Sequence, residues 1–525
     1  MTRTDMGGAV MRLGKAFFTA VLCLGMGTLG GWSAMVAAED VNETGEPALK
    51  VKIETGTVAN WKESVEESVK MIVKVGESKT ESEWEHASEH STGVVYGKET
   101  KEGREAVLAD ITTTRNLRNY TVNGEDNKAK KKGEFEWPRL PKVRTLLTEY
   151  TGREMLSGHK VPDREAWENY VIGFLRMIPD DGLKDGQEVK GDIVRGGEKY
   201  GTYELKCERK RSEDGKSSRQ WAITGRVNAE REGVKVTIDD YRARWTEGKS
   251  VPGYESYTVR IERLTRTDTG ETKTEITRKV RRELADYTVL DGNAAEDAAT
   301  LYDLTRKAFK AISKCDLTQN NLNKTPEKLK VAAVKAFWDA VSAAPRQGAV
   351  SDALWAWFFN ASVYIMPKAG APAKPVVAGG WINTKGIDYR DLRGKVVMIE
   401  FWSTGCPPCR RMAPHLDQLY RKYKDKGLEI ISFALSTRGL QAFVNSKKLT
   451  YPITTSDMRG YIFDQNGEPW LKDGKPWLFR LTGISYQGSF RGIPHVFLVD
   501  RKGILRWEGH PAKMDTTLKK LLEEK

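Results

Sequence analysis

Cysteine is scarce, with five in 525 residues, which excludes a small scaffold stapled by disulfides. Histidine is nearly as rare at six. No second Cys-x-x-Cys and no matching His pair completes a tetrahedral zinc site with Cys406 and Cys409. Arg410 stands where a c-type haem attachment would need His. Concentrated charge is also missing: 85 basic and 72 acidic side chains leave +13, but they are interspersed. The densest basic run, Lys128 to Lys132, is short, and reads as solvated surface rather than a nucleic-acid site. No metal, organic cofactor or nucleic-acid partner is therefore expected.

What is present is a chain too long for one ordinary core, with 39% apolar and 30% charged residues, so several domains are expected. Residues 1–38 read as an export signal, since Arg3, Arg12 and Lys15 flank or precede an uncharged run from Ala16 to Ala38 that ends in small residues. Left uncleaved, that run is long enough to anchor the chain in a bilayer. Leu22 stands before Cys23, where a lipoprotein signal wants a small residue. The expected destination is the bacterial periplasm or cell envelope.

One stretch carries chemistry. Val396 to Phe401 is short, apolar and β-branched, and predicts a buried strand. Beyond Cys406-Pro407-Pro408-Cys409, Met412, Leu416 and Leu419 recur at helical spacing. The pair thus falls where a strand hands over to a helix, and the helix start stabilises a thiolate at Cys406 below the free value of about 8.5. Cys409, one turn deeper, is placed to resolve a mixed disulfide on Cys406. Pro407 and Pro408 suit a first turn but remove two donors, which argues against an extremely acidic thiol.

These residues, with Leu392 to Val397, Gly492-Ile493-Pro494-His495-Val496-Phe497-Leu498-Val499-Asp500 and the turn Arg501-Lys502-Gly503, resemble the thioredoxin superfamily, specifically the TlpA/ResA-like extracytoplasmic thiol-disulfide oxidoreductases. The resemblance covers roughly the last 150 residues. It implies a thioredoxin-like α/β fold, with Cys406 as nucleophile and Cys409 as resolving thiol. It implies a cis-proline at Pro494, with Ile493 holding an extended substrate; Trp402 is a further candidate for substrate binding. It implies a buried acid at Glu400 that takes the Cys409 proton, and a helix kink at Pro414. Its members act on disulfide-bonded proteins and are mostly reductases recharged by a membrane electron carrier. Gly405 and Met412 depart from the usual Trp and Glu.

The rest of the chain is read as follows. Residues 41–162 are a poorly defined β-containing region, with strand-like pieces at 49–53, 70–75 and 93–96. Within it His86-Ala87-Ser88-Glu89-His90 fits a zinc-hydrolase spacing, but its polar surroundings predict a solvated helix or loop. Residues 163–292 predict an amphipathic helix at 163–177, then an antiparallel meander of strands at 200–207, 220–227, 234–245, 254–264 and 273–280. Residues 293–366 predict three helices, at 296–313, from Thr325-Pro326 to 344, and at 351–365, the last crowded with aromatics. Residues 367–377 read as a linker, and 378–525 as the thioredoxin-like domain. Cys207 and Cys315 stay open between a disulfide and two buried thiols. Trp470 and Trp477, in the near-repeat around Pro469 and Pro476, either wall the reactive pair or close a mini-core.

The expectation is a multidomain α+β protein: a β-rich antiparallel N-terminal module, a helical middle segment and a C-terminal domain that reduces protein disulfides. The alternative from another class is an envelope binding protein whose β module meets a partner while the C-terminal domain serves as scaffold.

Overall fold

The computed structural model describes residues 53–100, 103–129, 139–148, 182–195, 198–211, 219–231, 233–246, 249–268, 270–315, 325–363, 367–376, 380–455 and 490–524, with short pieces at 48–49, 155–156, 178, 365, 378, 459–461, 471–472, 475–476, 478–480 and 486. The expected helix at 163–177 lies outside them.

Among the described residues the N-terminal sheet has twelve strands, two of them two-residue pieces at 125–126 and 155–156; the other ten are β1 (Thr57–Val75), β2 (Ser78–Thr100), β3 (Gly103–Val122), β4 (Lys142–Thr148), β5 (Glu188–Arg195), β6 (Glu198–Arg211), β7 (Arg219–Arg231), β8 (Val234–Thr246), β9 (Tyr254–Thr267) and β10 (Gly270–Val289). Their order is β4-β3-β2-β1-β10-β9-β8-β7-β6-β5, with 155–156 added outside β4. Two meanders are joined where β1 pairs antiparallel with β10. Alternation decides the faces: along β8, Val234, Val236, Ile238, Tyr241, Ala243 and Trp245 are buried between exposed polar residues. They pack with Trp221, Ile223, Val259 and Ile261 into one core.

The strands expected at 200–280 form there; all five run on past the expected C-terminal end, and β6, β7 and β10 also begin earlier. Residues 53–122 differ more: instead of short pieces they make three strands of 19, 23 and 20 residues. The reason is that their buried face carries polar side chains as well as apolar ones, so period-two alternation is masked. His86 to His90 correspondingly lies within β2, neither in a helix nor in a loop.

Three helices follow, α1 (Gly292–Ile312), α2 (Glu327–Ala343) and α3 (Ala349–Val363). Pro326 rather than Thr325 occupies the cap of α2, with no side-chain cap bond. Phe309, Phe337 and Trp357 pack ring to ring at 5.1 to 6.0 Å, and the Trp357 indole N–H donates to the Pro141 carbonyl at 2.8 Å. The aromatics of α3 are thus core residues spanning from β4 toward the C-terminal sheet.

That second sheet has the order β11 (Trp381–Ile382), β14 (Ile453–Thr454), β13 (Leu428–Ala434), β12 (Val396–Trp402), β15 (His495–Val499), β16 (Leu505–Gly509). β12 and β13 are parallel, while β15 runs antiparallel to β12. α4 (Pro407–Tyr423), α5 (Leu440–Lys447) and α6 (Asp515–Glu523) complete the fold. Every residue of β12 is buried. Ile399, Phe401, Phe433 and Phe497 on one face join the core of α1–α3, and Met398 and Trp402 on the other join that of α4.

Contacts tie the C-terminal domain to the helices. Trp338 donates to the Lys502 carbonyl, and Arg393 donates to the carbonyls of Ser342 and Ala344 at 2.9 and 3.1 Å. Residues 371–376 are buried, and Pro372 bridges to Ile504, so the proline-rich stretch is packed along the 503–505 turn rather than hanging free. Cys207 and Cys315 are free and buried; burial pushes the Cys207 thiol up to about 12. Among the described residues no helix is long and apolar enough to cross a membrane.

Candidate active site

β12 ends at Trp402, the chain turns over Ser403 to Gly405, and α4 begins at Pro407 with Cys406 as its cap. Cys406 and Cys409 are joined in a disulfide with Cα atoms 5.3 Å apart. Cys406 Sγ accepts the Cys409 backbone N–H at 3.2 Å, the contact that stabilises a thiolate at a helix start. Cys406 is half-buried while Cys409 is fully buried. The asymmetry leaves only the first sulfur open to a protein substrate.

Across the cleft the Ile493–Pro494 peptide is cis, and the Ile493 carbonyl lies 3.6 Å from Cys406 Sγ. Ile493 is half-buried and leads directly into β15. An extended chain laid along Ile493 would meet both its backbone groups and Cys406.

Glu400 is 0% exposed. It alternates with Met398 and Trp402, so its side chain lies on the face where Cys409, Ala413, Leu416 and Tyr451 form one core. The Ser432 hydroxyl, its partner across β13, donates to it at 2.6 Å. Burial outweighs that bond and lifts the carboxyl to about 7. Among the described residues the other Glu400 oxygen, the Trp402 indole N–H and the Tyr451 hydroxyl are buried without a hydrogen-bond partner. Tyr451 is pushed well above its ordinary value by burial, then by the carboxylates of Glu400 and Asp417.

Cys406, Cys409 and Ile493 are thus brought into contact, and Glu400 lies in the core behind Cys409. Trp402 differs from the expectation: it is 0% exposed and packs 5.6 Å from Phe443, so it supports the pair from beneath rather than meeting a substrate. Parity explains this, because Trp402 continues the inward face of Met398 and Glu400. Trp470 and Trp477 lie outside the described residues. Ser432 and Tyr451 were not anticipated; Ser432 is the lone hydroxyl inside the apolar run of β13, which was the available signal. Leu435, 44% exposed, is a further apolar group here, its N–H donating to the Trp402 carbonyl at 2.8 Å. No cluster that could hold a metal is found among the described residues.

A strand-helix disulfide facing an X-Pro loop on a mixed sheet coincides with a family match. Residues 377–508 are an AhpC/TSA-family domain. Within that AhpC/TSA-family domain the fold is thioredoxin-like. The chain is 44% identical over 74 residues to the thiol-disulfide oxidoreductase ResA of Halalkalibacterium halodurans, covering 14% of this chain and 42% of that protein. It is 35% identical over 108 residues to ResA of Bacillus thuringiensis, covering 20% and 61%. It is 51% identical over 55 residues to protein DipZ of Mycobacterium bovis, covering 10% and 8%. A solved thiol-disulfide isomerase from Corynebacterium glutamicum aligns at 21% identity over 30% of this chain and 99% of that one, with a TM-score of 0.23. The chain therefore spans about half the length of the ResA relatives it matches, and the matches take in 14% and 20% of this chain.

Proposed function

We propose that the chain is an exported thiol-disulfide oxidoreductase that reduces disulfides in envelope proteins. The observation that carries the reading is the half-buried Cys406 sulfur at the cap of α4, contacted from one side by the Cys409 N–H and from the other by the Ile493 carbonyl. In the dithiol state the Cys406 thiolate attacks a substrate disulfide, forming a mixed disulfide and expelling one substrate thiolate, which takes a proton. Glu400, whose carboxyl burial lifts to about 7, accepts the Cys409 proton. The Cys409 thiolate then attacks Cys406 Sγ, the second substrate thiolate leaves, and the pair ends as the observed disulfide. Two electrons pass to the substrate, and a reductant, which we assign to a membrane electron carrier, must restore the dithiol.

Ile493 and Pro494 hold the substrate backbone, and Leu435, across β12 from them, offers an exposed apolar contact. The similarity to the named thiol-disulfide oxidoreductases supports the enzyme reading over a scaffold role. The test is turnover of a disulfide-bonded protein by the full chain with a thiol reductant. Wild type is expected to turn over and Cys406→Ser to be silent; equal rates would overturn the reading.

A further inference from the structure

The N-terminal sheet holds a second reactive constellation, far in sequence from the cysteines. On β2, Ser88 and His90 are two residues apart and so project from the same face of the strand. His90 Nε2 lies 2.8 Å from the Ser88 hydroxyl, and His90 Nδ1 lies 2.7 Å from the Asp110 carboxylate on β3. A carboxylate only accepts, so Nδ1 carries the proton toward Asp110. In the neutral ring Nε2 is then bare, and the serine hydroxyl must donate to it. That is the arrangement in which imidazole can take the serine proton while the carboxylate steadies the ring.

The surroundings give this trio a purpose beyond bracing. Register shifts at Glu85/His86 and Glu89/His90 flank it on the β2–β3 ladder, and such irregularities re-aim side chains at functional positions. Arg115 pairs with Ser88 across that ladder, on the same face of the sheet. On the other side the row through Ser88 continues as Val65, Val280 and Tyr257, an apolar wall. The row through His90 continues as Glu63, Arg282 and Glu255, mutually ion-paired. The serine is buried at 5% exposed, while the side chains of His90 and Asp110 keep 14% and 26% of their area open to solvent.

We propose that Ser88, His90 and Asp110 form a hydrolytic centre for carboxylic esters with an apolar acyl group. Ser88 Oγ bonds to the acyl carbon as its proton passes to His90 Nε2; the ester C–O bond breaks and the alkoxide leaves with that proton. Water then attacks the acyl-serine, gives its proton to His90, and the carboxylic acid departs as Ser88 is regenerated. One water is consumed for each ester cleaved, and nothing is oxidised or reduced.

The test uses the full chain, a fluorophosphonate probe and p-nitrophenyl butyrate. The probe is expected to modify Ser88, identified by peptide mapping, and butyrate hydrolysis is expected to fall roughly a hundred-fold or more in Ser88→Ala and in His90→Gln. Cooperative unfolding of both variants controls for folding, and the labelling arm needs only wild-type protein. An intact wild-type chain with no adduct at Ser88, or Ser88→Ala hydrolysing at the wild-type rate, would overturn the proposal.

Discussion

A carboxyl group kept from water has to be either neutral or costly, and Glu400 sits at the balance point. Its value in the fold, about 7, exceeds the ordinary 4.5 because burial outweighs the single Ser432 bond. An acid raised in the folded state stabilises the fold fully below its unfolded value and loses that contribution as pH climbs through the folded one. Stability is thus expected to fall by about 3 kcal/mol between roughly pH 4.5 and 7 from this group alone. Urea titrations of Glu400→Gln across that window should show the slope flattened, with the variant gaining on wild type at pH 8. An unchanged slope would mean that the carboxyl is not held neutral by burial. The same substitution is expected to slow release of the mixed disulfide and to remove a pH step near 7 from that rate, measured by rapid mixing. At Cys409 the prediction is simpler: Cys409→Ala removes the resolving sulfur, so covalent adducts should accumulate on Cys406 and be readable by mass spectrometry.

Among the elements, α4 was readable from its cap, its prolines and its apolar spacing, and β12 from a short, apolar, β-branched run ahead of the cysteine pair. The position of Glu400 could be read for the same reason, since alternation along β12 leaves it no face but an interior one. The same alternation could have warned that Trp402 is inward. β1 to β3 were not legible, because their interior rows carry Glu63, Glu67, Ser88 and His90 beside Trp61 and Val65. Long-range partners such as Arg278, 2.7 Å from Glu67, satisfy these groups, and local pattern does not reveal a partner more than two hundred residues away. The seam between α2 and the C-terminal domain was equally hidden. Gly503 turns there with φ +76°, and a Cβ would sit 2.5 Å from the Trp338 ring. Gly503→Ala should therefore cost about 1–3 kcal/mol in denaturant unfolding, through a left-handed backbone and overpacking together. A smaller loss would mean that the seam yields.

At the scale of the molecule, the face of β12 turned away from the cysteines is covered by helices that also cover the N-terminal sheet. One continuous core runs from Val95 and Val107 through Phe309 and Phe358 to Phe401 and Phe497. The described residues thus place the redox pair and the β2–β3 end of the module on opposite sides of shared packing, and the polar row of the module meets its own core where Tyr241 donates to Glu255 at 2.8 Å. This arrangement predicts a single unfolding transition for the C-terminal domain and α1–α3 together, checked by following Trp fluorescence and far-UV circular dichroism in urea; separated transitions would contradict it. The central claim concerns one sulfur, and alkylation of the fully reduced chain with iodoacetamide at a series of pH values tests it most directly. Cys406 is expected to react first, with an apparent pKa below the free value of about 8.5. Reaction at Cys406 no earlier than at a free cysteine, with its rate rising only above that value, would contradict the account.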